Sequence, residues 1–520
     1  MEEKNQKSSY DKWADSAVVI LLFLSILFLL HFTGTLNSGY HLIDDHEMLR
    51  INSDLQKSSF LQTSINWIGN DLNIRLRPIY FLHRVLEIKL FGINFFSLSF
   101  YTGFLAGVAF SLFYLGARRL NYSITESLLL IILTFVGFQM AVWWRLGPCE
   151  TIGMVFFGLS FYFMAGCINS RRYLLNNITF IIFLIMTSLC KSSFIIIVPA
   201  FVIYKIWNES KFFHTSIKES VQNNYLSALP LVAMLVEILT IFLLIGTNGV
   251  GYAGPTFDLG VLSRGVTEIF SNINMLADWF KFLGIIIFCC LVSFFFLGKN
   301  RLDVFEKSVK NFLIPLSFSA FIILPNILLY AKSGMYERYL LPTTFGLAFL
   351  IINLIKYTRS KILLKAEILA CAVFIYISYG YTYNNAVAFA DDGIKTNQFF
   401  STVEKNAHSD SKILVVADPV YDNEVSWSIK TYLSLAGFND LYFYPMAREY
   451  SSDSELTLRS VWEKWFEGRV IKKIEEEPNM VIVVNKSQSD LFFNSNGISK
   501  SDYENVIKDD NPRAVYMKNN

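Results

Sequence analysis

The stretch Tyr40-His-Leu-Ile-Asp-Asp-His-Glu-Met-Leu-Arg50 gathers three carboxylates (Asp44, Asp45, Glu47), two imidazoles (His41, His46) and a guanidinium just past the first apolar run. A carboxylate so close to lipid is costly to desolvate unless it meets a cation, a hydroxyl or water. Such a pair could act in acid–base chemistry. One carboxylate would take the proton of an acceptor hydroxyl as general base, and the other would orient it or hold a divalent cation. His41, His46 and the carboxylates are the residues that could ligate that ion, although their spacing matches no zinc motif. A solvated acidic loop is the plain alternative.

Arginines supply the second ingredient. Arg50, Arg75, Arg77 and Arg84 follow in the same loop, and Arg145 and Arg338 lie in later ones. A guanidinium fork suits phosphate or pyrophosphate oxygens, with contact to lipid headgroups as the alternative for any one of them. In Trp143-Trp-Arg-Leu-Gly-Pro-Cys-Glu150, Gly147 and Pro148 break the helix, and the paired tryptophans suit an interface anchor or a sugar face. Glu150 opens the next apolar run, as a helix-end charge or a second acidic site residue. Lys191 sits between two short apolar runs, where it would snorkel outward or hold a phosphate. Met335-Tyr-Glu-Arg-Tyr-Leu-Leu-Pro342 adds Glu337, Arg338 and Tyr339, with an internal Glu–Arg pair as the bland account.

The elements that must position these residues are membrane helices. The 520 residues are 53% hydrophobic and only 17% charged, against roughly 25% charged in soluble domains. About eleven apolar runs, from Ser16–Phe32 to Leu364–Tyr381, approach the length of a membrane span. The chain therefore reads as an α-helical polytopic membrane protein. Residues 1–383 form its membrane domain, with a long first outer loop at 33–96, and residues 384–520 form a small α/β domain. Basic clusters (Arg118–Arg119, Arg171–Arg172, Lys205 to Lys218, Lys299 to Lys310, Lys356 to Lys365) recur at every second loop. They put the N-terminus in the cytoplasm and the C-terminal domain outside. That parity requires Ile178–Trp207 to be two short helices meeting near Lys191. Thr247–Lys281 is then another outer loop. Ser16–His31 lacks a cleavage site and reads as a retained span.

Within the first outer loop, Pro78–Gly92 has helical spacing and a basic polar face, as an interfacial helix would, with Pro78 in its first turn and Gly92 at its end. Five of the six cysteines lie in or beside apolar runs and read as small hydrophobes; Cys149 lies in a loop. In the tail, Lys412–Asp418, Asp440–Tyr444, Asn479–Val484 and Ala514–Met517 read as strands. Asp422–Ala436, Ser454–Phe466 and Ser501–Lys508 read as helices, with Asp422 as a cap and Gly437 as a stop. No Gly-rich phosphate loop follows a strand, so nucleotide binding is unsupported, and the domain reads as a cap that stabilises or contacts an acceptor. The net charge of +2 gives no sign of a nucleic-acid partner.

The acidic pair after the first span, followed by "RLRPIYFLHRVLEIKLFG", "WWRLGPCETIG", "SLCKSSFIIIVP" and "YERYLLP", resembles the GT-C superfamily of integral-membrane glycosyltransferases over roughly residues 15–345. The resemblance implies a multi-helix bundle with long outer loops. It also implies sugar transfer from a polyprenyl-phosphate donor to an acceptor on the outer face, typically with inversion, and no nucleotide. Under it, Asp44 or Asp45 is the base, Arg77 and Arg338 contact phosphate, and Lys191 and Glu150 line the cavity. Glu47, Arg50, Arg75, Arg145, Glu337 and Tyr339 complete the candidate substrate-binding set. The chain departs from family members that carry a Glu after the Lys of "SLCKSS". Its size and outer tail look most like bacterial or phage O-antigen glucosyltransferases, which implies glucose transfer to lipopolysaccharide O-antigen at the inner membrane. The implied partners are the lipid-linked donor, a glycan acceptor and the bilayer, and a divalent cation is the one cofactor considered. A flippase for lipid-linked sugars would place ionisable residues deep in several spans, where Glu237 is the clear case. An O-antigen polymerase or ligase would instead concentrate arginines in large later loops.

Overall fold

The structure is a computed structural model. It describes residues 9–169, 173–245, 274–295, 301–330, 337–356, 358, 360–446, 453–507 and 510–519, together with 259, 260, 263 and 267. Most of the expected loop Thr247–Lys281 and the pair Arg171–Arg172 lie outside these residues. The chain divides into two compact units. The first comprises Met1–Thr33, Phe60–Glu87 and Ser99–Ala386, and the second Gly34–Ser59, Ile88–Leu98 and Val387–Asn520.

Among the described residues seven helices are long and apolar enough to cross a membrane: Asp11–Phe32, Phe95–Arg119, Glu150–Cys167, Ser192–Phe213, Tyr225–Ile245, Phe312–Leu329 and Lys361–Asn406. Ile124–Phe135, Tyr173–Ser188 and Leu341–Ile355 are apolar but shorter, and Asn274–Phe295 is a further apolar helix. With no water in a bilayer core to take up backbone polar groups, helices are how such a sequence spans it. The chain is an integral membrane protein.

Packing in the first unit follows from small residues and aromatic rings. Gly103 and Gly107, four residues apart, let the helix Phe95–Arg119 approach the first span so closely that a Cβ at either would overlap Leu30 or Phe23. Such spacing of small residues is how membrane helices gain van der Waals contact without a hydrophobic drive between them. Farther in, Phe113 meets Phe157 edge-on at 5.1 Å, and Phe157 meets Phe345 at 5.0 Å. Charges at helix ends are paired: Arg118 Nε lies 2.7 Å from Asp15 Oδ1. Lys205, fully buried, lies 3.0 Å from Glu209 Oε1 and also donates to Asn224. Burial of such charges is tolerable only with partners of this kind.

The second unit carries a five-stranded sheet, β1 (Ile413–Ala417), β2 (Leu441–Pro445), β3 (Met480–Val483), β4 (Tyr503–Asn505) and β5 (Ala514–Lys518). Their spatial order is β2-β1-β3-β5-β4. β1 pairs in parallel with β2 and β3, Val415 opposite Phe443 and Ile482, while β5 runs antiparallel to β3 and β4. One face packs against Ile429 and Leu433 of the helix Asn423–Leu435 and against Trp462 and Phe466. The other packs against Phe492 and Phe493 of the helix Ser489–Asn496. The expected helix at Ser501–Lys508 is instead β4 after a short 3-10 turn. Its side-chain pattern is too short to carry a period, and pairing with β5 decides it. Asp422 does precede a helix, but its side chain makes no cap bond there; it accepts from the Asp418 N–H at 2.9 Å.

Candidate functional site

In the first unit three chain breaks come together. The helix Pro78–Phe91 starts at its proline, the 3-10 turn Phe138–Trp143 leads to Gly147-Pro148, and the helix Tyr173–Ser188 stops short of Lys191. A new helical turn starts after Lys191, whose φ of −162° and ψ of 141° are extended. The expected interruption near Lys191 is therefore present. Hydrogen bonds tie the three breaks together. The Ile79 N–H donates to the Leu189 carbonyl at 3.3 Å, and the Tyr80 hydroxyl donates to the Gly147 carbonyl at 2.8 Å. Arg84 donates to the Leu146 carbonyl.

At their meeting point lie Glu150, the first residue of its span, and Lys191, which is 4% exposed and ion-paired to Glu150 Oε1. The Lys191 ammonium sits 4.0 Å from the centroid of the Tyr339 ring. Arg338 lies over the same ring at 5.3 Å and interacts electrostatically with Glu150. Cys149 is buried beside them. Burial, with Glu150 next, pushes its thiol up, against the opposing fields of Lys191, Arg77 and Arg75. Among the described residues, four cations (Arg75, Arg77, Lys191, Arg338) and two carboxylates (Glu150 and Asp71) lie around this point. A low-dielectric surplus of positive charge of this kind favours an anion.

Two partners here were missed in the sequence. Asp71 grips Arg77 through contacts of 2.6 and 3.2 Å, and Arg77 also lies 5.1 Å over the rings of Tyr80 and Phe81. The six-residue separation across a turn gives no periodic signal. Arg84 is not on a polar outer face. It is 3% exposed and bonded to Glu87 at 2.7 Å, while Leu82, Leu86 and Leu90 make the exposed face of that helix. Trp143 and Trp144 are likewise neither anchors nor sugar platforms. Both are buried, and Trp143 packs edge-on against Phe110 at 5.7 Å. Arg145 is half-buried, its N–H bonded to the Ala141 carbonyl at 3.2 Å. Arg75 is half-buried, its N–H bonded to the Asp71 carbonyl at 2.6 Å. The side chain of Glu337 lies outside the described residues.

The acidic segment belongs to the second unit. Asp44 precedes the helix Asp45–Lys57 with φ 68° and ψ −31° and makes no side-chain cap bond to it, a backbone region costly for a residue with a Cβ. Asp45 is 2% exposed, and its Oδ2 accepts the backbone N–H of His41 at 2.8 Å. The His41 ring stacks on Phe389 at 3.7 Å and approaches Gly393 too closely for any Cβ there. His46 Nδ1 lies 3.4 Å from Ser428 Oγ, and burial pushes this imidazole down to about 4. Glu47 is half-buried, and Arg50 lies 5.6 Å over the Trp427 ring. Among the described residues no three of His, Cys, Asp and Glu are grouped to hold a metal ion. The two imidazoles that would join the carboxylates are turned to Phe389 and Ser428 instead.

No family model matches the sequence, and no curated protein matches it. Solved structures do. ArnT from Cupriavidus metallidurans bound to undecaprenyl phosphate is similar at a TM-score of 0.51 and 11% identity, over 96% of this chain and 98% of that one. ArnT in the apo state gives 0.48 at 12% identity, over 98% of each chain. An Archaeoglobus fulgidus oligosaccharyltransferase tethered with an acceptor peptide gives 0.44 at 10%, over 91% of this chain and 69% of that one. The first likeness shows the fold: the chain shares the overall architecture of that ArnT structure.

Proposed function

We propose that the protein is a membrane glycosyltransferase that moves a sugar from a polyprenyl-phosphate donor to a glycan hydroxyl on the non-cytoplasmic face of the inner membrane. The reading is carried by the buried Lys191–Glu150 pair beneath Tyr339 and Arg338, with Arg75 and Arg77 close by. Cations held at the start of a span suit a phosphate whose lipid tail stays in the bilayer. That ArnT, which shares the fold, was solved with undecaprenyl phosphate supports the same donor class.

In the step envisaged, the acceptor oxygen attacks the anomeric carbon as the bond from that carbon to the phosphate oxygen breaks. The bond's electron pair leaves with the lipid phosphate, and Lys191 and Arg338 stabilise the charge that develops there. The hydroxyl proton passes to a carboxylate. We assign that base to Asp44 and not to Asp45, because the Asp45 carboxylate is buried and committed to the His41 N–H, while Asp44 is half-buried and held in a strained conformation. Asp45 is then a positioning residue. Backbone strain kept at a polar position is a recurrent mark of functional sites.

Glucose and lipopolysaccharide O-antigen are the first sugar and acceptor to try. The test is transfer in nanodiscs from undecaprenyl-phosphate glucose to O-antigen-bearing lipopolysaccharide, wild type beside Asp44→Asn. Transfer by the wild type that drops about 10²–10⁴-fold in the variant supports the reading. Full activity of the variant refutes the base, and the absence of both donor binding and transfer in the wild type refutes the function.

A further inference from the structure

Glu237 is a buried ionisable residue that the proposed chemistry leaves unused. It lies within the apolar span Tyr225–Ile245, yet it is only 5% exposed. Its neighbours Leu235, Val236, Ile238 and Leu239 are exposed. Among the described residues no cation pairs with it, and its Oε2 has no hydrogen-bond partner. Its Oε1 lies 2.7 Å from Ser188 Oγ, and the same hydroxyl oxygen lies 2.8 Å from the Ile185 carbonyl oxygen.

A serine hydroxyl has one proton, and here it faces two acceptors. With an ionised Glu237, only one of these short contacts could hold a proton, and a carboxylate oxygen would stay buried in an apolar span with nothing to compensate it. With a protonated Glu237 the chain closes. The acid O–H donates to Ser188 Oγ, the Ser188 O–H donates to the Ile185 carbonyl, and Oε2 is an uncharged carbonyl oxygen.

Ser188 is also the last residue of its helix. The next carbonyl, Leu189, receives the Ile79 N–H, and Lys191 follows two residues later in its pair with Glu150. We propose that Glu237 is a neutral carboxylic acid that clamps the end of the helix Tyr173–Ser188 and so positions Lys191; the positioning role rests on the reading of Lys191 as a phosphate-holding residue.

Glu237→Gln keeps a neutral planar group with an amide N–H donor toward Ser188 and a carbonyl acceptor, whereas Glu237→Ala and Ser188→Ala remove the clamp. Affinity for undecaprenyl phosphate in nanodiscs is measured for each, together with the infrared difference spectrum of wild type minus Glu237→Gln. The expected result is a carbonyl band of a protonated carboxylic acid in that difference spectrum. Binding should stay within about twofold of wild type for Gln and weaken about five- to tenfold for Ala at either position. Absence of the acid band overturns the inference, and so does a Gln variant as weak as the Ala variant. Should the Ala variants fail to fold, the spectrum and the Gln variant still decide. The spectrum needs no substrate, so a wild type that binds no lipid phosphate while showing the band refutes the functional reading and the positioning role, not the neutral acid.

Discussion

Replacing Lys191 by Met removes an ammonium from a place where water does not reach it. The side chains of Lys191 and Glu150 are 5% and 3% exposed, so the loss of the cation leaves a buried carboxylate that keeps the field of Arg338 but no direct ion pair with Lys191. Breaking a buried pair from one side typically costs about 3–5 kcal/mol, because the abandoned charge keeps its desolvation penalty. Glu150→Gln should cost somewhat less, since the ammonium retains the face of Tyr339 at 4.0 Å. The double variant Lys191→Met/Glu150→Gln buries no unpaired charge and should recover most of the loss, a coupling of roughly 3 kcal/mol. Binding separates from stability in the same set. If Lys191 contacts the donor phosphate, the double variant, though refolded, should still bind undecaprenyl phosphate about 10–100-fold more weakly, the worth of one charged hydrogen bond. Thermal unfolding in detergent and lipid-phosphate titration in nanodiscs give the two readouts. Single losses that simply add would refute the buried pair, and wild-type affinity in the double variant would refute the phosphate role.

The remaining expectations concern the second unit. Asp44→Asn should leave thermal stability near wild type, since Asn tolerates a positive φ, while Asp45→Asn should lower it by about 1 kcal/mol through the weakened His41 N–H bond; equal destabilisation by both would contradict the two roles assigned. Gly393→Ala should destabilise by about 1–3 kcal/mol, because its Cβ would come within 2.6 Å of the Ser38 carbonyl oxygen, a backbone atom that cannot yield cheaply; an unchanged unfolding temperature would reject that packing. His46 is held neutral, its folded value of about 4 lying below the unfolded value near 6.5. Its contribution to stability should be full above about pH 6.5 and fade as the pH falls toward 4, so wild type should lose more stability than His46→Gln across that window in pH-dependent unfolding.

The parts of the site that could be read from the sequence were those written in local signals. Pro78 and Gly92 bound a helix that does run Pro78–Phe91, with Gly92 at φ 59° just beyond it. Gly147-Pro148 and the polar "CKSS" interrupt apolar runs where the chain does break. Four tail strands fall within a residue or two of β1, β2, β3 and β5, because short apolar and aromatic runs bounded by polar residues carry their own length. Partners across the fold had no such signal. Nothing local says that Asp71 reaches Arg77, that Arg84 turns inward to Glu87 and the Leu146 carbonyl, or that Trp143 is swallowed by Phe110. Those contacts are set by which helix faces meet.

The same distinction bears on how an outer-loop arginine is to be judged. Counted by sequence, Arg75, Arg77, Arg84 and Arg145 are equivalent positive charges near a membrane surface. In the fold they differ in what holds them. Arg84 is consumed by Glu87 and a carbonyl, so it braces the Gly147 turn and has little left for a ligand. Arg77 is fixed by Asp71 and two rings, yet it and Arg75 still act on Cys149 beside the Lys191–Glu150 pair. An arginine pre-positioned by a carboxylate loses less rotamer entropy when an anion arrives than an exposed one would. Arg77 therefore ranks above Arg50, which is exposed and rests on Trp427, as a group able to hold a phosphate, even though its own charge is partly neutralised.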